Sequence, residues 1–137
     1  DEKDLQEKMF VYRTLESRLE ILTKQREMVS AKIIEIVSTI SSIAELDKSE
    51  GSAFFRLGGE VYAEGNISKG GKILVEIGAG IALEKSIEEG KLTLNKRKEE
   101  MGSIMKEIQQ NIMEVTSAIN QLGPEINSLI QKTQNPK

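Results

Sequence analysis

The sequence predicts a mainly helical α+β fold in which two long helices flank two tandem β-hairpins. Three features support this prediction: an apolar heptad pattern before residue 50, another after residue 86, and a glycine-rich segment between them that repeats itself. We expect the helices to form an antiparallel two-helix coiled coil, with both chain termini at its free end. The hairpins are expected to pair with β-strands of another subunit.

The 137 residues are expected to form a single domain. Its parts are an N-terminal coiled-coil helix (1–50), two hairpins for assembly (52–85), a C-terminal coiled-coil helix (86–132) and a loose tail (133–137). Only 4% of the residues are aromatic, so we expect burial to come from aliphatic seams. Parallel association with a second chain is the alternative for the helices, but their nearly equal lengths favour the antiparallel arrangement.

The first helix is predicted from apolar residues that recur at alternating spacings of three and four, which is the pattern of a coiled-coil seam. Ten of twelve such positions are apolar, and we interpret Arg26 as a seam charge whose stem packs while its head reaches water. The helix should end within residues 47–50, with Gly51 just past its end. The twelve seam positions are Leu5, Lys8, Tyr12, Leu15, Leu19, Leu22, Arg26, Val29, Ile33, Ile36, Ile40 and Ile43.

The middle segment contains an internal repeat, because residues 57–64 (LGGEVYAE) are echoed by residues 77–84 (IGAGIALE). Each copy predicts a β-hairpin, since glycine tolerates the positive φ of tight hairpin turns. The expected strands are 53–57 and 60–64 around a Gly58-Gly59 turn, and 72–77 and 81–85 around a turn at 78–80.

The predicted strands have no further strand in the chain with which to pair. Isolated two-stranded hairpins are marginally stable in water, and their unpaired edges seek partners. We therefore expect another subunit to complete the sheet. The residues predicted to make these assembly contacts are Phe55, Leu57, Val61, Ile73, Val75, Ile77, Ile81 and Leu83.

The second helix is predicted to begin at a capping box, in which Ser86 bonds the main chain near Glu89. Eleven of its thirteen seam positions are apolar. Pro124 should kink or break the helix, leaving 125–131 as a short final piece. The seam positions are Ile87, Lys91, Leu94, Lys98, Met101, Met105, Ile108, Ile112, Val115, Ile119, Leu122, Ile126 and Leu129.

The composition argues against catalysis. The chain has no His and no Cys, which removes the commonest general base and all thiol chemistry. The strand carboxylates alternate with apolar residues, as on solvated strand faces, so we expect no enzyme, metal or cofactor; they are Glu60, Glu64, Glu76 and Glu84. Gly78-Ala79-Gly80 lacks the helix that a dinucleotide site requires.

The charge pattern also bounds the partners. The net charge is −3 with Lys and Arg spread along the chain, so no basic face favours nucleic acid. No apolar run reaches the roughly 18 residues of a membrane span, and the charged start is unlike a secretory signal. We expect a soluble, cytoplasmic protein that contacts neither nucleic acid nor membrane.

The duplicated hairpin resembles that of the archaeal prefoldin alpha subunits, and the resemblance covers essentially the whole chain. It is carried by Leu57-Gly58-Gly59, Tyr62, Glu64, the run Lys72-Ile73-Leu74-Val75-Glu76-Ile77-Gly78-Ala79-Gly80-Ile81-Ala82-Leu83-Glu84-Lys85, and Ile87-Glu88-Glu89. Beta-class prefoldins have one hairpin. The sequence departs from the family at Gly59-Glu60, where members often carry Pro-Gly or Ala-Gly, so the first turn should be altered but kept.

The resemblance implies a hexamer of two alpha and four beta subunits, joined through a β-barrel body that carries six coiled-coil tentacles. It further implies that the tentacle tips hold non-native proteins without ATP and deliver them to a group II chaperonin. The alternative is a structural coiled-coil spacer or adaptor without this holding activity.

Given that resemblance, the client-binding residues should lie where apolar side chains outnumber those that one seam can bury. Four consecutive apolar residues, 9–12, meet this condition near the chain start, and Phe10 and Val11 lie off the seam. The full predicted set is Met9, Phe10, Val11, Tyr12, Leu122, Ile126, Leu129 and Ile130. Ordinary seam packing is the alternative role for Met9, Tyr12, Ile126 and Leu129.

Overall fold

The computed structural model describes residues 1–134 and confirms the predicted order of elements. Two helices flank two antiparallel hairpins, β1 with β2 and β3 with β4. The elements are α1 (Glu2–Lys48), β1 (Gly51–Gly58), β2 (Val61–Ile67), β3 (Ile73–Gly78), β4 (Ile81–Lys85) and α2 (Ile87–Gln134). The closure of these hairpins into a barrel with other subunits stays a prediction.

The chain divides into two compact units, each of which contains part of both helices. The helical unit comprises Asp1–Ala31 and α2 from Gly102 onward, and the hairpin unit comprises Lys32–Met101. Within the helical unit, Lys8 near the start of α1 pairs with Glu125 near the end of α2. Within the hairpin unit, Asp47 at the end of α1 pairs with Lys91 at the start of α2. The helices are therefore antiparallel within each unit.

Burial confirms both predicted seams. Every predicted seam position of α2 is at least partly buried, and so is every one of α1 except Arg26, which is exposed as expected of a seam charge. In the hairpin unit the seam forms a core cluster, against which Ile40, Ile73 and Met101 pack. Its buried members are Ile36, Ile43, Ile87 and Leu94.

Local hydrogen bonds define the two helix ends that adjoin the hairpins. The Glu89 amide donates to Ser86 Oγ at 3.1 Å, which confirms Ser86 as the N-cap of α2. At the other junction α1 ends at Lys48, inside the expected window, and the Ser49 amide donates to the Leu46 carbonyl at 3.2 Å. Gly51 was wrongly expected to follow the helix directly: it opens β1, with a φ of 89°.

The first turn lies one residue later than predicted, at Gly59-Glu60, with φ values of 52° and 65°. The second turn repeats this geometry, with φ of 53° at Ala79 and 74° at Gly80. A tight hairpin of this kind requires two successive positive φ values, and one non-glycine residue in each copy accepts that conformation. In both copies the pairing register also shifts just before the turn. The two copies of the sequence repeat therefore share the backbone conformation of their turns as well.

Of the kink or break predicted at Pro124, the break is wrong, because α2 runs through it to Gln134, and the kink stays a prediction. An interior proline costs a helix about 3 kcal/mol, but the flanking residues pack on α1. Ile126 is buried, and a Cβ built on Gly123 would lie 3.8 Å from Tyr12 Cε2. The helix also includes Thr133 and Gln134, which the sequence analysis assigned to a loose tail. The rest of that tail, 135–137, lies outside the described residues.

Candidate functional site

The β3–β4 hairpin packs on the helices of its own unit through one face. Val75 is only 7% exposed, and Ile73 packs on the core cluster. Gly90 of α2 makes this approach possible, since a Cβ built there would lie 2.3 Å from Ile73 Cδ1. Ile73 and Val75, both predicted to contact another subunit, are therefore core contacts within the chain. The sequence analysis missed them because alternation gives the face of a strand but not what covers it.

A main-chain hydrogen bond adds to this packing. The Arg97 guanidinium of α2 donates from Nη2 to the carbonyl oxygen of Glu76 in β3. A charged donor makes a stronger hydrogen bond than a neutral one. Arg97 thus ties β3 to α2 a few residues beyond Ile73, and nothing in the heptad pattern had singled it out.

The other six predicted assembly residues are exposed in the single chain, to between 43% and 70%. Several occupy matching positions of the repeat, as Leu57 matches Ile77 and Val61 matches Ile81. Apolar side chains grouped in this way are rarely left exposed on the surface of a folded monomer. The six, which we call the exposed hairpin residues, are Phe55, Leu57, Val61, Ile77, Ile81 and Leu83.

The opposite strand faces contain two large apolar residues that the sequence analysis did not select. Phe54 is 72% exposed and Leu74 is 71% exposed. They occupy equivalent positions of the repeat, and each lies across the ladder from a glutamate, Glu64 or Glu84. A comparison of the two copies of the repeat, position by position, would have found Phe54 and Leu74. With these two residues, both faces of the hairpins present apolar side chains.

The strand edges provide a second means of pairing. Each hairpin is a separate two-stranded sheet, so within the described residues every strand has one edge without a neighbouring strand. Such edges present main-chain N–H and C=O groups in the spacing that another strand can match. Unpaired edges together with exposed apolar faces are the features from which sheets extend across subunits.

Two of the four strand carboxylates have ordinary surface partners. Ser52 Oγ donates to Glu64 Oε1 at 2.5 Å, and the Lys72 amine lies 3.9 Å from Glu84 Oε2. Residues 52 and 72 are equivalent in the repeat. The Ser52 hydroxyl therefore contacts the glutamate of its copy, as the Lys72 ammonium contacts the glutamate of the other copy. Among residues 1–134, no three Asp or Glu side chains converge on a possible metal position. Neither described helix has a stretch long and apolar enough to cross a membrane.

A groove of about 340 Å³ lies between α1 and α2 in the helical unit. We call it the helix-pair groove. It contains three of the predicted client-binding residues, Met9, Tyr12 and Ile126, which give it an apolar lining. Its full lining is Met9, Tyr12, Arg13, Glu16, Gly123, Ile126 and Asn127.

An ion pair joins the two helices beside this groove. The Lys8 amine donates to Glu125 Oε2 at 3.1 Å, and both side chains are partly exposed. This hydrogen bond raises the pKa of Lys8 above its ordinary value, with smaller contributions from the charges of Glu125 and Asp4, and desolvation opposes the rise. Lys8 therefore keeps its positive charge throughout the neutral pH range.

The predicted client-binding residues differ in exposure. Phe10 is 72% exposed and Val11 is 47% exposed, as their positions off the seam predict. Ile126 is buried, and the others are half-buried between the helices; they are Met9, Tyr12, Leu122, Leu129 and Ile130. The exposed pair can bind another molecule without rearrangement, whereas Ile126 supports the helix pairing.

Comparison with known proteins places these features in a family. The model of the prefoldin subunit family matches residues 15–132. "Prefoldin subunit alpha" of Methanococcoides burtonii is 29% identical over 133 residues, covering 90% of this chain and 96% of the relative. That of Pyrococcus horikoshii is 23% identical and covers 95% and 90% respectively.

The fold has a solved counterpart as well. A chain in the cryo-EM structure of filamentous PFD from Methanocaldococcus jannaschii superposes with a TM-score of 0.71, at 20% sequence identity. The match covers 88% of this chain and 98% of that one. The duplicated hairpins, the two seams and the family match over both helices lead to one conclusion: the chain belongs to the prefoldin family, and the named relatives that it resembles are archaeal alpha subunits.

Proposed function

We propose that this chain is the alpha-type subunit of an ATP-independent molecular chaperone. In this proposal two copies assemble with four prefoldin beta-type subunits through their hairpins. The coiled-coil tips of the hexamer hold non-native proteins, prevent their aggregation and deliver them to a group II chaperonin in the cytoplasm. The subunit acts by binding and not as an enzyme.

The exposed hairpin residues are the observation that carries the assembly part of this proposal. Six apolar side chains that are 43% or more exposed lie on strands whose edges are also free among the described residues. Burying a large apolar side chain stabilises a complex by about 1.5–3 kcal/mol. A partner strand that covers these residues would satisfy the strand edges at the same time.

Phe10 and Val11 support the client-binding part. Both are exposed on α1 outside the lining of the helix-pair groove, where an unfolded segment can reach them. One such site binds weakly, but several tips around one client bind it together far more strongly, because each later contact is intramolecular.

The spacer function remains the second candidate, and a specific observation favours it. Ile126 is buried, and five of the other seven predicted client-binding residues are half-buried, as purely structural residues would be. A spacer would assemble through the hairpins but would not keep other proteins from aggregating.

The exposed pair distinguishes these two functions. A Phe10→Ser and Val11→Ser double variant in the reconstituted complex should assemble normally but bind an unfolded client about tenfold more weakly at each alpha tip, because the apolar burial is lost. Light scattering of a thermally aggregating client would measure the protection.

The matched control is Ile21→Ser with Met28→Ser, which removes apolar side chains that are 57% and 73% exposed on the same helix. This control should protect as well as the unchanged complex does. Equal protection by the Phe10/Val11 variant would remove the assigned client site, and no protection by the unchanged complex would favour the spacer.

A further inference from the structure

A groove of about 470 Å³ in the hairpin unit lies between α1, β3 and α2. Residues 73–76 of β3 form part of its lining, and we call it the β3-edge groove. We propose that a β-strand of the beta-type partner pairs with β3 along this groove, and that Arg97 caps the edge of β3 until that strand displaces it. This inference rests on the proposed function and specifies which strand edge is used and what covers it beforehand.

The lining identifies the part of β3 that the groove exposes. Residues 73–76 are consecutive, whereas the side chains of a strand point alternately to its two faces. A groove lined by consecutive residues therefore follows an edge of the strand and not one face. β3 pairs with β4 along its other edge, and among the described residues none of β4 lines the groove. The groove thus follows the edge of β3 that has no neighbouring strand.

Arg97 caps this edge through a main-chain hydrogen bond. Its side chain lines the groove, and Nη2 donates to the carbonyl oxygen of Glu76, which is also in the lining. The guanidinium therefore lies where the amide of an added strand would donate. Such a strand must displace Arg97 before it can pair with β3 at this position.

A removable cap suits a strand that has to wait for its partner. Unpaired strand edges promote aggregation, and charged side chains at the edge are a common protection against it. The bond from Arg97 is exposed to solvent, so water can replace it when the guanidinium leaves. The cap can thus open without leaving a buried carbonyl unpaired.

The surface beside the groove favours a partner strand as the occupant. Ile77 follows Glu76 along β3 and is 50% exposed, and Leu74 in the groove lining is 71% exposed. A strand that paired at this edge would give both side chains apolar neighbours. The β3-edge groove is therefore continuous with the exposed hairpin residues.

Arg97→Met tests the cap, because methionine keeps an apolar stem but has no donor. Its hexamer formation with the beta-type partner should be about fivefold faster, since one hydrogen bond no longer withholds the open edge. Light scattering after rapid mixing would measure the rate, and native mass would show the same two-to-four composition. The isolated variant should also self-associate more than the unchanged chain, because its β3 edge is open.

Lys96→Met is the matched control. It removes one positive charge and adds the same side chain at an exposed residue of α2 outside the groove lining. This control should assemble at the rate of the unchanged chain. Arg97→Lys should assemble at an intermediate rate, since its ammonium can still donate to the Glu76 carbonyl.

Two outcomes would overturn the inference: assembly of Arg97→Met at the unchanged rate or more slowly, or equal acceleration by Lys96→Met. A contact that only stabilised the hairpin unit would give the first outcome, and a general effect of net charge would give the second. If the unchanged chain forms no hexamer with the partner, the proposed function itself fails. If it forms the hexamer and Arg97→Met brings no acceleration, the edge cap alone is wrong.

Discussion

Replacing Gly90 by leucine should displace the β3–β4 hairpin from α2 and lower the free energy of unfolding of the chain by about 3 kcal/mol. Even the first added atom has no room, because a Cβ would lie 2.3 Å from Ile73 Cδ1 and 3.2 Å from its Cγ1. Ile73 cannot retreat freely, since it packs on the core cluster. Thermal or urea unfolding followed by circular dichroism would measure the loss.

Gly102→Leu is the matched control in the same helix. A Cβ at Gly102 meets nothing within 4 Å, so leucine there should stabilise the chain by up to about 1 kcal/mol through helix propensity alone.

A milder pair of substitutions, at Gly90 and Ile73, tests the contact itself. Gly90→Ala should destabilise less when combined with Ile73→Val, which removes the clashing Cδ1 atom. Strictly additive effects of these two changes would contradict the proposed contact.

A charge at Val75 should destabilise the chain itself, by about 3–5 kcal/mol for Val75→Asp, because an unpaired carboxylate would be buried there. Val75 is 7% exposed, whereas its neighbour Leu74, on the opposite face of the same strand, is 71% exposed. Leu74→Asp should therefore change the free energy of unfolding of the isolated chain by no more than about 0.5 kcal/mol. Urea unfolding of the isolated variants would measure both values.

This result would also correct the assembly test that the sequence suggests. From the sequence alone, a charge at Val75 is expected to yield free, aggregation-prone subunits. The buried position of Val75 means that loss of assembly in Val75→Asp would follow from damage to the hairpin unit. A Val75→Asp chain as stable as the Leu74→Asp chain would show that the β3–β4 hairpin does not pack as described.

The periodic parts of the structure could be predicted from the sequence. Residues such as Leu22, Ile36 and Val115 recur at heptad spacing, so their burial follows from helix geometry alone. The hairpins followed from the glycine turns and the internal repeat, although the first turn was displaced by one residue. Residues close together in the sequence determine these features, through heptad spacing in the helices and glycine in the turns.

The features that could not be predicted depend on contacts between residues far apart in the chain. Gly90 looks like a weak point of a helix until Ile73 is brought against it, and Val75 looks like a subunit contact until α2 covers it. Pro124 has the local signal of a helix break, but Ile126 and Tyr12 hold the helix together across it. In each case tertiary packing outweighs the local preference.

The measurement that tests the central claim most directly is the native mass of this chain, alone and mixed with a prefoldin beta-type subunit from the same cells. If the exposed hairpin residues form an assembly surface, mixing should produce a hexamer of two copies of this chain and four of the partner. A stable monomer or homodimer that ignores the partner would show that the hairpins are satisfied in some other way, and would contradict the account.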